Sequence, residues 1–170
     1  MAILDIITVP HPVLKQRARP LRPDEFGPAL AQRLSDMAET MYAAPGVGLA
    51  APQVGDSLRY VVIDPSEGDE RGRGLTKMVN PVIEERTREN QIYGETCLSV
   101  PGLEVDVKRS LGVRVSWQDP LDGARQEAWF EGYDAIVIQH ELDHLEGEVI
   151  LNKVSAFRRS RYLKRLLQER

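Results

Sequence analysis

The sequence predicts an α+β fold: antiparallel strands packed around a central helix, with an amphipathic helix before them and a further helix at the C-terminus. Three observations predict it. Val113, Val115 and Trp117 alternate with Arg114 and Ser116, the two-residue period of a half-buried strand, and Asp119–Gly123 is a turn that joins this strand to the next as a hairpin. Phe26, Leu30, Leu34, Met37, Ala38 and Met41 recur at three- and four-residue steps, the spacing of an amphipathic helix. Late in the chain, Ala135-Ile-Val-Ile runs into a helical pattern whose apolar side belongs in a core.

Taken in order, Val9–Ala18 begins extended because residues before proline avoid the α region, and a short helix starts at about Pro12. His11 reads as a surface residue. The amphipathic helix is expected over Pro23–Met41, with Asp24 and Glu25 at the positive end of its dipole, ending at Ala44-Pro45-Gly46. Gly46-Val-Gly48-Leu-Ala-Ala-Pro-Gln53 fits neither dinucleotide nor P-loop spacing; its small residues let backbone approach a ligand, and Gln53 offers an uncharged N–H donor. Leu58–Asp64 reads as a strand, and Pro65–Gly74 as a charged, mobile loop without chemistry. Met78–Arg86 is a strand interrupted at Pro81, followed by strand-like Leu103–Val107, Leu111–Trp117 and Ala124–Phe130. Val154–Arg170 is helical by propensity; from Lys153 onward it carries seven Lys/Arg against the single acid Glu169.

At 170 residues the chain should be one domain, residues 1–170, burying roughly 70% of its unfolded surface. Hydrophobic content of 42% and charged content of 28% belong to the soluble globular class. No apolar run approaches the roughly 20 residues that span a bilayer, so no membrane partner is expected. Met1–Asp5 lacks a basic n-region and a cleavage site, which leaves no export signal. One cysteine permits no internal disulfide and points to a reducing compartment, the cytoplasm. A net charge of −4 gives no general reason to expect DNA binding; only the basic tail departs from it.

The chemistry concentrates in Gln139-His140-Glu141-Leu-Asp143-His144. Imidazoles four residues apart project from one helical face and can grip one metal ion, and Glu141 beside them can act on water without being a ligand. Gly147 closes the helix. A third ligand is needed. Six residues beyond the second histidine stands Ile150, which cannot ligate, and Glu146 and Glu148 lie too close. The strongest remaining candidate is Cys97, although a lone cysteine is more often a small buried hydrophobe.

Three segments, Gly46–Gln53, Glu95-Thr-Cys97-Leu-Ser99 and Gln139–His144, resemble in order and approximate spacing the signature motifs of peptide deformylases. Thr96 departs from the pattern, which usually has glycine there. The resemblance implies a metal held by Cys97, His140 and His144 with one position open to water. It implies Fe(II) in the cell, with Zn, Ni or Co possible after purification. Glu141 would be the general base and acid, and the Gln53 amide with the Leu98 backbone N–H would stabilise the oxyanion. Val47, Gly48, Glu95 and Thr96 would border the substrate, the N-formyl-methionyl end of a nascent polypeptide. Asp143 takes a supporting role, with Arg109 as candidate partner. The basic tail would be a solvated helix or a docking element for the ribosome. Two other readings use the same helix: a zinc endopeptidase with a downstream ligand, and a ribosome-associated module that only retains a metal.

Overall fold

The computed structural model describes residues 2–169. Three α-helices and seven strands follow the chain: α1 Pro28–Ala43, β1 Gly48–Ala50, β2 Tyr60–Ile63, β3 Thr76–Arg86, β4 Asn90–Cys97, β5 Val100–Ser110, β6 Gly112–Gln118, β7 Arg125–Glu131, α2 Tyr133–Leu145 and α3 Ala156–Gln168. The strands form a five-stranded sheet in the order β1-β2-β3-β6-β7 and a separate pair, β4-β5. Every strand pairing is antiparallel. α2 lies between the sheets, as the α+β reading expects. Its Ala135, Val137, Ile138, Leu142 and Leu145 pack with Val61, Ile63, Met78, Val113 and Val115 of the larger sheet in one apolar cluster. Gln139 locks its height: Nε2 donates to Ser110 O at 2.9 Å, while Oε1 accepts from Ser110 N at 3.1 Å and from Arg86 at 3.1 Å.

The helix ends where its chemistry requires. Gly147 adopts φ +77°, and a Cβ there would meet the Lys15 carbonyl oxygen at 2.5 Å, so strain and space both require glycine. The turn that follows tucks Ile150 and Leu151 under the β4-β5 pair with Val100, Leu103, Val105 and Val107. Along β5 the inward positions Leu103, Val105 and Val107 continue to Arg109, a guanidinium carried into the interior by strand period alone.

Several boundaries differ from expectation. The first amphipathic helix starts at Pro28, not Pro23, because Gly27 at φ +143° breaks the chain after a 3-10 turn over Pro23–Glu25. Glu25 therefore serves Arg19, bidentate at 2.8 Å and 2.8 Å, instead of a helix dipole. The helix expected from Pro12 is a 3-10 turn, Pro12–Lys15, capped by the exposed His11. β3 is continuous past Pro81, which sits at a register shift between Val79 and Val82 where no ladder N–H is needed. β1 and β4 do not announce themselves in the sequence. β1 is three small or apolar residues, and β4 is largely polar with exposed Ile92 and Tyr93. The basic helix runs Ala156–Gln168, and Arg170 lies outside the described residues. Among the described residues, no helix is long and apolar enough to cross a membrane.

Candidate metal centre

Three remote stretches meet over α2. β4 and β5 join through a two-residue turn, Leu98-Ser99, so Cys97 stands at the end of a hairpin. The segment before α1 holds this hairpin against the 46–53 stretch: Ile7 N donates to Gln53 O at 2.8 Å and Val9 N to Ser99 O at 2.9 Å. Cys97 Sγ then lies 3.4 Å from His144 Nε2, and ligand atoms of Cys97, His140 and His144 all fall within 4.8 Å of one another. Metal–sulfur and metal–nitrogen bonds of about 2.3 Å and 2.0–2.1 Å, opened to a tetrahedral angle, put the two donor atoms about 3.5 Å apart. The observed spacing fits.

The surroundings orient each donor. His140 Nδ1 faces Glu95 Oε1 at 2.8 Å, which leaves Nε2 as its free ligating atom. Glu95 is itself clamped by Arg109, Nε and Nη2 each at 2.8 Å, and Arg109 Nη1 donates to Asp143 at 2.5 Å. Burial works to raise the Glu95 pKa, but Arg109 and His140 outweigh it and hold the carboxylate at about 2. A buried arginine between two carboxylates thus sets the ring orientation of a candidate ligand from behind. Asp143 and Arg109 are partners as expected; Glu95 lines the cleft but its carboxylate serves His140 and Arg109.

Burial, aided by a charged His140, drives the His144 pKa well below its ordinary value, so this ring is neutral and ready to ligate. Burial opposes protonation of His140 as well, yet Glu141, Cys97 and Glu95 around it raise its pKa overall. A cation would displace that proton, as metal binding does. Glu141 is 4% exposed, its Oε1 has no hydrogen-bond partner, and burial lifts its pKa to about 7. His144 Nδ1 is likewise buried and unpartnered. An unpartnered carboxylate oxygen beside a thiol and two imidazoles is what a dry site built for a cation presents.

Gln53 is pinned by its own turn. Oε1 accepts from Ala50 N at 2.9 Å, which aims Nε2 at Cys97 Sγ, 3.8 Å away, and at the fully buried Ser99 Oγ, 3.0 Å away. Ser99 is a support that the sequence motif contains but spacing alone does not assign. Gly48 has a steric reason: a Cβ there would stand 2.3 Å from Glu141 Oε2. Thr96 lies in β4 without positive φ, extended and exposed, so its extra bulk faces the cleft rather than straining the backbone. Val47, Gly48, Gln53, Glu95, Thr96, Cys97, Leu98, His140 and Glu141 all border one cleft of about 530 Å³.

The family described as polypeptide deformylase matches residues 3–160 of this sequence. The chain belongs to that family. It is 41% identical to a peptide deformylase of Zymomonas mobilis over 173 residues, covering 100% of this chain and 96% of the relative. Among solved structures, a peptide deformylase from Legionella pneumophila superposes with a TM-score of 0.87 at 36% identity, covering 99% of both chains. A class I type b peptide deformylase from Acinetobacter baumannii bound to Met-Ala-Ser superposes at 0.82 with 32% identity, covering 90% of this chain and 99% of that one. The deformylase resemblance of the three motifs thus extends over the whole length, and these relatives are enzymes that remove N-formyl groups.

Proposed function

We propose that this chain is a metal-dependent hydrolase that removes the N-formyl group from the formyl-methionine at the start of nascent polypeptides. The observation that carries the reading is the convergence of Cys97, His140 and His144 within 4.8 Å, beside a buried Glu141 with an unpartnered oxygen. Cys97, His140 and His144 would hold a divalent cation, which when bound polarises the formyl carbonyl and lowers the pKa of water. A thiolate with two imidazoles accepts Fe(II), Zn, Ni or Co, and we take Fe(II) as the cellular metal.

Glu141 takes a proton from the attacking water and returns it to the methionine nitrogen as the C–N bond breaks, leaving formate and a free amino terminus. The oxygen that gains charge accepts hydrogen bonds from Gln53 Nε2 and the Leu98 backbone N–H, both residues of the cleft lining. The peptide has two backbone rims to bind. β1 is an edge strand of the larger sheet and β4 pairs only with β5 among the described residues, so the cleft runs between two open strand edges. An extended peptide can add hydrogen bonds to either one. Val47, Gly48, Glu95 and Thr96 border that path. A relative solved bound to Met-Ala-Ser, a methionine-initiated tripeptide, supports a peptide as the occupant of the cleft. Residues 1–170 act as one cytoplasmic catalytic domain.

Formate release from a formyl-Met peptide, set against an acetyl-Met control, tests the reading. Release from the formyl peptide alone is expected; equal turnover of both, or of neither, would overturn it.

A second reading concerns α3. Tyr162 is its one buried residue, with Oη donating to Pro101 O at 2.6 Å, while Arg158, Arg161, Lys164 and Arg165 are exposed. Cations on an exposed face suit ribosomal RNA. Deleting residues 158–170 should weaken ribosome binding in a salt-dependent way and leave hydrolysis of short formyl peptides within about twofold. Unchanged ribosome affinity would remove the docking role.

A further inference from the structure

The charged segment after β2 reads in sequence as a mobile loop without chemistry, but it is tied to the wall of the cleft. Asp64, fully buried at the end of β2, accepts hydrogen bonds from Tyr42 Oη at 2.5 Å, Ser66 N at 3.0 Å, Gly72 N at 2.8 Å and the Ser66 hydroxyl. Arg71 lies over the Tyr42 ring, 4.7 Å from its centre. Its Nη1 donates to the Asp64 carbonyl at 2.7 Å, and its Nη2 donates to the carbonyl of Gly46. Asp64 N in turn donates to the carbonyl of Val47 at 2.8 Å. Two successive carbonyls of the cleft wall are therefore held by one hub.

That wall has no slack. A Cβ on Gly46 would sit 2.9 Å from Leu98 Cδ1, and one on Gly48 would sit 2.3 Å from Glu141 Oε2. A small shift of the 46–48 backbone thus changes its distance to both Leu98 and Glu141. We propose that Arg71 is a positioning residue: its guanidinium ties the loop after β2 to Gly46 and holds the Gly46–Gly48 wall where it receives the peptide substrate. The inference rests on the deformylase reading for the identity of that substrate. The tether itself stands on geometry alone. A guanidinium suits the task because its planar fork reaches two carbonyls while its face stays on an aromatic ring. A lysine carries its three donors on one nitrogen and has neither the planar fork nor the flat face.

The test uses the metal-loaded enzyme carrying Arg71→Ala or Arg71→Lys, with hydrogen exchange of the amides at 46–48 measured beside formate release from a formyl-Met tripeptide. For Arg71→Ala, exchange in that segment should quicken about tenfold, the scale of one lost charge-assisted hydrogen bond. KM should rise about tenfold with kcat within about twofold and metal content unchanged, the pattern of lost substrate binding. Arg71→Lys should recover part of both effects. Unchanged exchange in Arg71→Ala overturns the tether; faster exchange with unchanged KM overturns its role in substrate binding. Should Arg71→Ala fold poorly, Tyr42→Phe removes one donor to Asp64 and is read by the same two measurements. A wild-type protein that releases no formate sinks the deformylase reading instead, and exchange in the variant still decides the tether.

Discussion

Glu141→Ala is expected to keep its metal and to release formate about 10²–10⁴-fold more slowly, the usual contribution of a positioned general base. The side chain is 4% exposed and holds one oxygen without a partner, so its position contributes little hydrogen bonding to the fold. It neighbours His140 in sequence yet is outside the three-residue ligand set, which is why the metal should survive the substitution. Burial lifts its pKa to about 7, and a bound cation would pull that value down again, favouring the carboxylate that accepts a proton. Glu141→Gln, nearly the same in shape, should be as slow. Metal analysis and formate release on the same preparation check the claim. Near-normal turnover with stoichiometric metal would mean that another group takes the proton.

Cys97→Ala should remove the metal itself. Two imidazoles alone leave a tetrahedral site half built, and the lost thiolate is the only anionic ligand of the set. Affinity should fall by more than the roughly 10–100-fold typical of changes behind the ligands, and formate release should disappear with it. The same variant separates this enzyme from an endopeptidase with a downstream ligand, in which the cysteine would be dispensable. Cys97 is 8% exposed and packs with Val100 and Leu151, so a small residue there disturbs the core little. Metal analysis of the anaerobically purified wild type belongs beside it. Iron is expected there, and stoichiometric zinc with full activity would displace it as the working metal.

The interior arginine shows how far pattern reading reaches. Alternation along Leu103, Val105 and Val107 puts Arg109 on the inward face of β5, so its burial is legible once the strand is recognised. Its bidentate hold on Glu95 is not, because Glu95 belongs to β4, whose polar residues hide the strand. The break at Gly27 illustrates the converse. Apolar spacing from Phe26 onward continues through it, yet backbone conformation there delays the start of the helix to Pro28, and periodicity carries no information about φ.

What the sequence determined by itself are local periodicities and short-range geometry: the metal helix with its paired histidines and glutamate, its closing glycine, the β6–β7 hairpin and the amphipathic character of α1. These depend on neighbours a few residues away, and the residue pattern records such neighbours directly. Only the tertiary structure decided that Cys97 reaches His144, that Glu95 and Arg109 stand behind His140, and that Arg71 holds Gly46. Those contacts join residues 47, 14, 45 and 25 positions apart. Their partners are chosen by how the sheets and α2 pack, and side-chain spacing along one chain does not encode that choice.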